Sequence, residues 1–137
     1  MERITEELQQ ENIPIQDKLP DLHRQVTAMI HDIGVPADIK GYQYLREAVK
    51  LAVEDFDRIH NMTECIYKPI ALADNSTPKR VRTAIMRAIE IAWDRGDLDT
   101  LQSFFGYTVS NTKGKPTNSE FVALLADKIL LLYRKIL

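Results

Sequence analysis

The chain has 137 residues, 45% of them hydrophobic, which suits one domain of ordinary size with a true core. Its formal net charge of −2 excludes a polycation, and one cysteine excludes an internal disulfide and a cysteine-based zinc site. No apolar signal core opens the chain and no run of eighteen apolar residues occurs, so a cytoplasmic protein is expected.

Helix formers dominate, glycines number five, and no long β-branched alternation appears; an all-α fold of about six helices is predicted. Residues 1–20 are polar and end between Pro14 and Pro20, as a leader or linker would. The folded domain is expected over 21–137. Asp21 is placed to cap a helix carrying Leu22, Val26, Met29, Ile30 and Ile33, stopped by Gly34. A second helix opens between Asp38 and Gly41 and is expected to run to His60–Asn61. Tyr44, Leu45, Ala48, Leu51, Ala52, Asp55, Phe56 and Ile59 lie along one side of it. Thr63 is placed to cap a third helix over 64–73.

Asp74, Asn75 and Ser76 break the chain before a long fourth helix. Thr77 suits its N-cap, Pro78 its first position and Gly96 its stop. Val81, Ala84, Ile85, Ala88, Ala92 and Trp93 form an apolar stripe on it. Asp97 caps a short fifth helix to Phe104, residues 106–115 form a polar loop, and Thr117 or Asn118 caps the last helix. That helix carries Phe121, Leu124, Leu125, Ile129, Leu132 and Ile136 at helical spacing. A short helix, a polar turn and a second helix make a helix-turn-helix layout at helices three and four. The turn lacks the glycine often found there.

The charge is uneven. Residues 1–60 hold twelve acids and seven bases, residues 61–137 eight acids and eleven bases. From Thr77 to Arg95 there are five bases and two acids. DNA affinity needs a local basic surface, not a basic average. The face of the fourth helix opposite its stripe holds Lys79, Arg80, Arg82, Thr83, Met86, Arg87 and Glu90. Arg82 and Arg87 are the candidates for base edges or nearby phosphates, and Lys79 and Arg80 for phosphates. Thr83 and Met86 suit a thymine methyl. Glu90 suits a cytosine amino group, or an ion pair with Arg87 or with the neighbours of Asp94. Ser76 and Thr77 can donate to phosphate, with capping the stronger role of Thr77. Lys113 and Lys115 lie in the polar loop, solvated or touching phosphate. The bland alternative for all these bases is a solvated helix face.

Four blocks carry a resemblance: H-D-I-G-V-P-A-D-I-K-G-Y-Q-Y-L-R-E-A at 31–48, A-I-E-I-A-W-D-R-G at 88–96, F-F-G-Y-T-V-S at 104–110 and K-P-T-N-S-E-F-V-A-L-L-A-D-K at 115–128. From about Leu22 onward the chain resembles the C-terminal DNA-binding domain of the stage 0 sporulation protein A family. That resemblance implies a six-helix domain that binds short boxes in duplex DNA and controls transcription. It also implies a receiver domain, for which residues 1–20 are too few. The family's reading face usually runs Glu-Arg, then Arg-His, then Glu; here it is Arg82-Thr83, Met86-Arg87 and Glu90. Two base-reading arginines are thus replaced, at Thr83 and Met86, which implies another target sequence. The resemblance further places the surface around Gly96, Thr100, Phe105 and Val109 against the sigma subunit of RNA polymerase. It places the last helix, around Ala126 and Asp127, in self-association on DNA.

Catalysis finds no constellation. His23, His31 and His60 lack ligand spacing, Cys65 has no nucleophile–base signature, and no glycine-rich phosphate loop or cofactor motif occurs. The alternative to DNA reading is a protein-interaction module that pairs with a full-length relative. Thr83, Met86 and the apolar tail I-L-L-L-Y-R-K-I-L motivate it.

Overall fold

The computed structural model describes residues 21–106 and 114–136. Every regular element among them is helical: α1 (Leu22–Ile33), α2 (Lys40–Glu54), a 3-10 helix (Phe56–Asn61), a π-helical turn (Thr63–Tyr67), α3 (Lys68–Ala73), α4 (Pro78–Arg95), α5 (Leu98–Phe105) and α6 (Asn118–Ile136). The expected all-α class and six α-helices are present. The expected leader, and most of the expected polar loop, lie outside the described residues.

α2 is the central helix and packs against α1, α4 and α6. The core joins Ile30 and Ile33 of α1, Leu45 and Val49 of α2, Ile66 of the π-turn, Ile85 and Ile89 of α4, and Phe121, Leu125 and Ile129 of α6. α1 ends where Gly34 turns left-handed at φ 108°. The Val35 N–H returns to the Ile30 carbonyl at 3.2 Å, a Schellman closure that glycine permits without a Cβ clash. Asp21 precedes α1, but its side chain makes no capping bond; it lies 3.9 Å from Arg24 instead.

The second helix is shorter than expected. Asp55 leaves the helix at φ −148°, ψ 99°, and its carboxylate accepts the Asp57 N–H at 3.2 Å. A short carboxylate that bonds nearby N–H groups competes with the helical ladder, so the chain restarts as a 3-10 helix. Asp55 is accordingly exposed rather than on the apolar side, while Phe56 and Ile59 still pack on the core.

Thr63 does not begin the third helix. The backbone is already helical at Met62, and Asn61 Oδ1 accepts the Glu64 N–H at 3.4 Å. Pro69 explains the π register that follows. It has no N–H to offer the Cys65 carbonyl one turn back, and the Arg58 guanidinium fills that vacancy at 2.9 Å.

Local capping codes elsewhere act as read. Asp97 accepts the Thr100 N–H at 3.2 Å. Thr117, not Asn118, caps α6: its hydroxyl accepts the Glu120 N–H at 3.2 Å while Glu120 Oε1 accepts the Thr117 N–H at 2.9 Å. On α6, Val122, Ala126 and Tyr133 join the buried face, and Leu132, expected on it, is exposed beside Leu131.

Candidate nucleic-acid interface

The segment that presents the basic helix is built from α3, the turn 74–77 and α4. The turn needs a left-handed residue, and Asn75 supplies it at φ 54°. Asparagine tolerates that region because its short amide bonds locally, so no glycine is required. Thr77 Oγ1 then accepts the Arg80 N–H at 3.2 Å, and Pro78 opens α4. Val81, Ile85, Ala88, Ile89 and Ala92 are buried. Ile89 belongs to the stripe and was missed by the sequence reading, whereas Ala84 and Trp93 sit half-buried at its margin. Trp93 meets Phe105 edge-on, with centroids 5.0 Å apart.

Asp74 ties the turn to α2. Its carboxylate accepts the Tyr44 hydroxyl proton and lies 3.2 Å from Lys40 Nζ. The Tyr44 bond, then Lys40, holds the Asp74 carboxyl below its ordinary range. Burial, then Asp74, raises the Tyr44 phenol. A carboxyl lowered in the folded state stabilises above its unfolded pKa, about 3.9, and loses that contribution as pH falls through its folded value. Acidification below about pH 4 should therefore loosen this turn. Asp74→Asn should abolish that acid-side change in amide exchange at Asn75 to Thr77, and an unaltered profile would contradict the tether.

The outward face of α4 exposes Lys79, Arg80, Arg82, Met86 and Arg87, with Thr83 and Glu90 half-buried. None of these four cations makes a side-chain ion pair or hydrogen bond among the described residues. Glu90 corrects one expectation. Its partner is Lys115, at 3.0 Å, and not Arg87. The α4 rotation that buries Ile89 turns Glu90 toward the approach to α6. Lys115 is thus neither simply solvated nor free. Such a half-exposed pair contributes about 0–1 kcal/mol, so it opens readily to a competing charge. Lys113 lies outside the described residues.

Two grooves flank the face. One, of about 710 Å³, lies between the start of α2 and α4, with Lys40, Thr77, Lys79, Arg80, Thr83 and Arg87 in its wall. The other, of about 390 Å³, lies between α4 and the start of α6, with Tyr67, Arg82, Met86, Lys115 and Asn118 in its wall. Asn118 fixes this second side: its amide donates to the Tyr67 hydroxyl at 3.0 Å and to the Arg82 carbonyl at 3.1 Å. Burial pushes the Tyr67 phenol up, keeping it the neutral partner that Asn118 meets. Ser76 is half-buried in the turn, its N–H bonded to the Ala71 carbonyl at 2.8 Å. Sequence reasoning missed Lys40, Tyr44, Tyr67, Asp74 and Asn118, because their bonds span 30 residues or more and leave no local pattern.

The second candidate surface is divided. Gly96 and Thr100 are half-buried and Asp127 is exposed. Phe105 is buried between Trp93 and Phe121, and Ala126 is fully buried, so neither side chain is offered to a partner. Both face the core because α5 and α6 pack along them. Val109 lies outside the described residues. Among the described residues, no helix is long and apolar enough to cross a membrane.

A family model described as sporulation initiation factor Spo0A C terminal matches residues 26–129. Those residues run from the middle of α1 into α6 and contain the whole of α2, α3, α4 and α5. With that match spanning the helical core and the exposed basic helix, the chain belongs to this family of DNA-binding regulatory domains in sporulation.

Proposed function

We propose that the chain is a sequence-specific transcription regulator whose α3, turn and α4 act as a helix-turn-helix, with α4 entering the major groove of duplex DNA. The observation that carries this is the pairing of a buried stripe with four cations, unpartnered among the described residues, on the opposite side of one helix. Lys79 and Arg80, near the start of α4, suit phosphates, and Arg82 and Arg87 suit base edges. Thr83 and Met86 suit thymine methyls. Ser76 and Thr77 stand beside the phosphate path. The Arg82-Thr83 and Met86-Arg87 pairs, in place of the family's usual residues, give it a target of its own. Glu90 takes part once Lys115 releases it, and Lys115 then turns to the backbone.

Selection of bound duplexes from random DNA tests the reading. A defined box should emerge. Binding should weaken steeply with salt, Lys79 and Arg80 alone contributing about −2 to the slope of log K against log salt. Recovery of no sequence above background would refute it. The rival, a module that pairs with a relative without reading DNA, draws on the exposed Leu131 and Leu132; the same selection separates the two. On DNA, the half-buried edge at Thr100 suits the sigma subunit and the α6 surface at Asp127 suits a second copy.

A further inference from the structure

The groove between α2 and α4 has a far wall that the reading above leaves unused. Lys40 stands on it, facing the side of the groove that carries Lys79, Arg80 and Arg87. No acid contributes to the lining. A helix about 10–12 Å across fills a major groove about 12 Å wide, so the flanking sugar–phosphate strands press against whatever lies beside the helix. On this flank, that surface is the start of α2.

We infer that Lys40 is a DNA phosphate contact, and that one strand of the duplex is held between α2 and α4. The inference rests on α4 being the DNA-reading helix. Three observations support it. First, Lys40 is fixed relative to α4. The next residue, Gly41, packs directly on α4: a Cβ there would stand 2.4 Å from the Ala84 carbonyl oxygen. Second, the ammonium is available. Its contacts at 3.2 and 3.4 Å both go to the Asp74 carboxylate, through side chains 61% and 36% exposed. A pair that exposed is weak and yields to a phosphate. Third, release of Lys40 does not orphan Asp74, which keeps the Tyr44 hydroxyl. Asp74 also stands outside the groove lining.

A lysine on phosphate carries no sequence information, so its contribution is the same for every sequence. The test is fluorescence anisotropy over a range of salt, on the best duplex from the selection and on a scrambled duplex. Lys40→Gln should reduce the salt slope by about 0.9 on both duplexes. Lys40→Arg should restore it. Lys50→Gln, on the same helix but beside His23 and Glu47, should match wild type. An unchanged slope in Lys40→Gln, with wild type binding normally, overturns the inference alone. A loss confined to the selected duplex overturns it as well, since it would mean base reading. If wild type binds neither duplex, the DNA reading falls and takes this inference with it.

Discussion

Gly41→Ala should destabilise the domain by about 3 kcal/mol, with a fall in Tm of roughly ten to twenty degrees. The sign is what makes the experiment decisive. In an unobstructed helix, alanine for glycine gains about 0.5–1 kcal/mol, because the unfolded chain has less freedom to lose. Here the added Cβ would meet the Ala84 carbonyl oxygen at 2.4 Å and the Ala88 Cβ at 2.7 Å. Neither is the far end of a flexible side chain, so the helices themselves must part. Steric cost then exceeds the propensity gain severalfold. Because α4 carries the basic face, DNA affinity should fall with stability. Thermal denaturation of the two proteins reads the effect. A variant as stable as wild type, or more stable, would mean that α2 and α4 do not cross at this point.

The double variant Arg82→Ala/Arg87→Ala should lose the preferred box while remaining folded. Both side chains are exposed and unpaired among the described residues, so stability should move by no more than about 0.5 kcal/mol. Each bidentate arginine–guanine contact discriminates by about 1–3 kcal/mol. Losing both should shrink the ratio of specific to non-specific binding by roughly thirtyfold at the least. Residual binding through Lys79 and Arg80 should persist at low salt and fade at high salt. Titration of selected and scrambled duplexes at two salt concentrations measures this. Equal specificity in wild type and double variant would remove α4 from base reading.

These two variants divide the molecule as its physics does. Gly41 acts through the packing that sets the angle of α4, and the arginines through what α4 then presents. The Asp74 tether and Asn118 lie between: each bonds two segments far apart in sequence, through the hydroxyl of a buried core tyrosine. They hold the turn and the start of α6 where a groove can exist on each flank of α4.

Much of this was legible before any coordinates. Thr77 and Asp97 mark helix starts because a cap is a bond between residues three apart, and Thr117 is one of two candidates for the last start. The apolar stripes of α1, α4 and α6 follow from helical spacing alone. The family blocks and the all-α class needed nothing more. Where the reading failed, two local codes competed. Asp55 sits at a stripe position, yet its carboxylate ends the helix. Pro69 sits inside an apolar run, yet its missing N–H calls on Arg58 and a π register.

The linear order of residues settled which segments coil, where most of them begin, and that one coil bears a cationic edge. It could not say that Glu90 is engaged by Lys115, that Phe105 and Ala126 are hidden, or that Lys40 stands across a groove from Arg87. Helical periodicity is a property of neighbours three and four positions apart. Pairing between α2, α4 and α6 depends on how whole helices cross, and only their packing around a shared core fixes that.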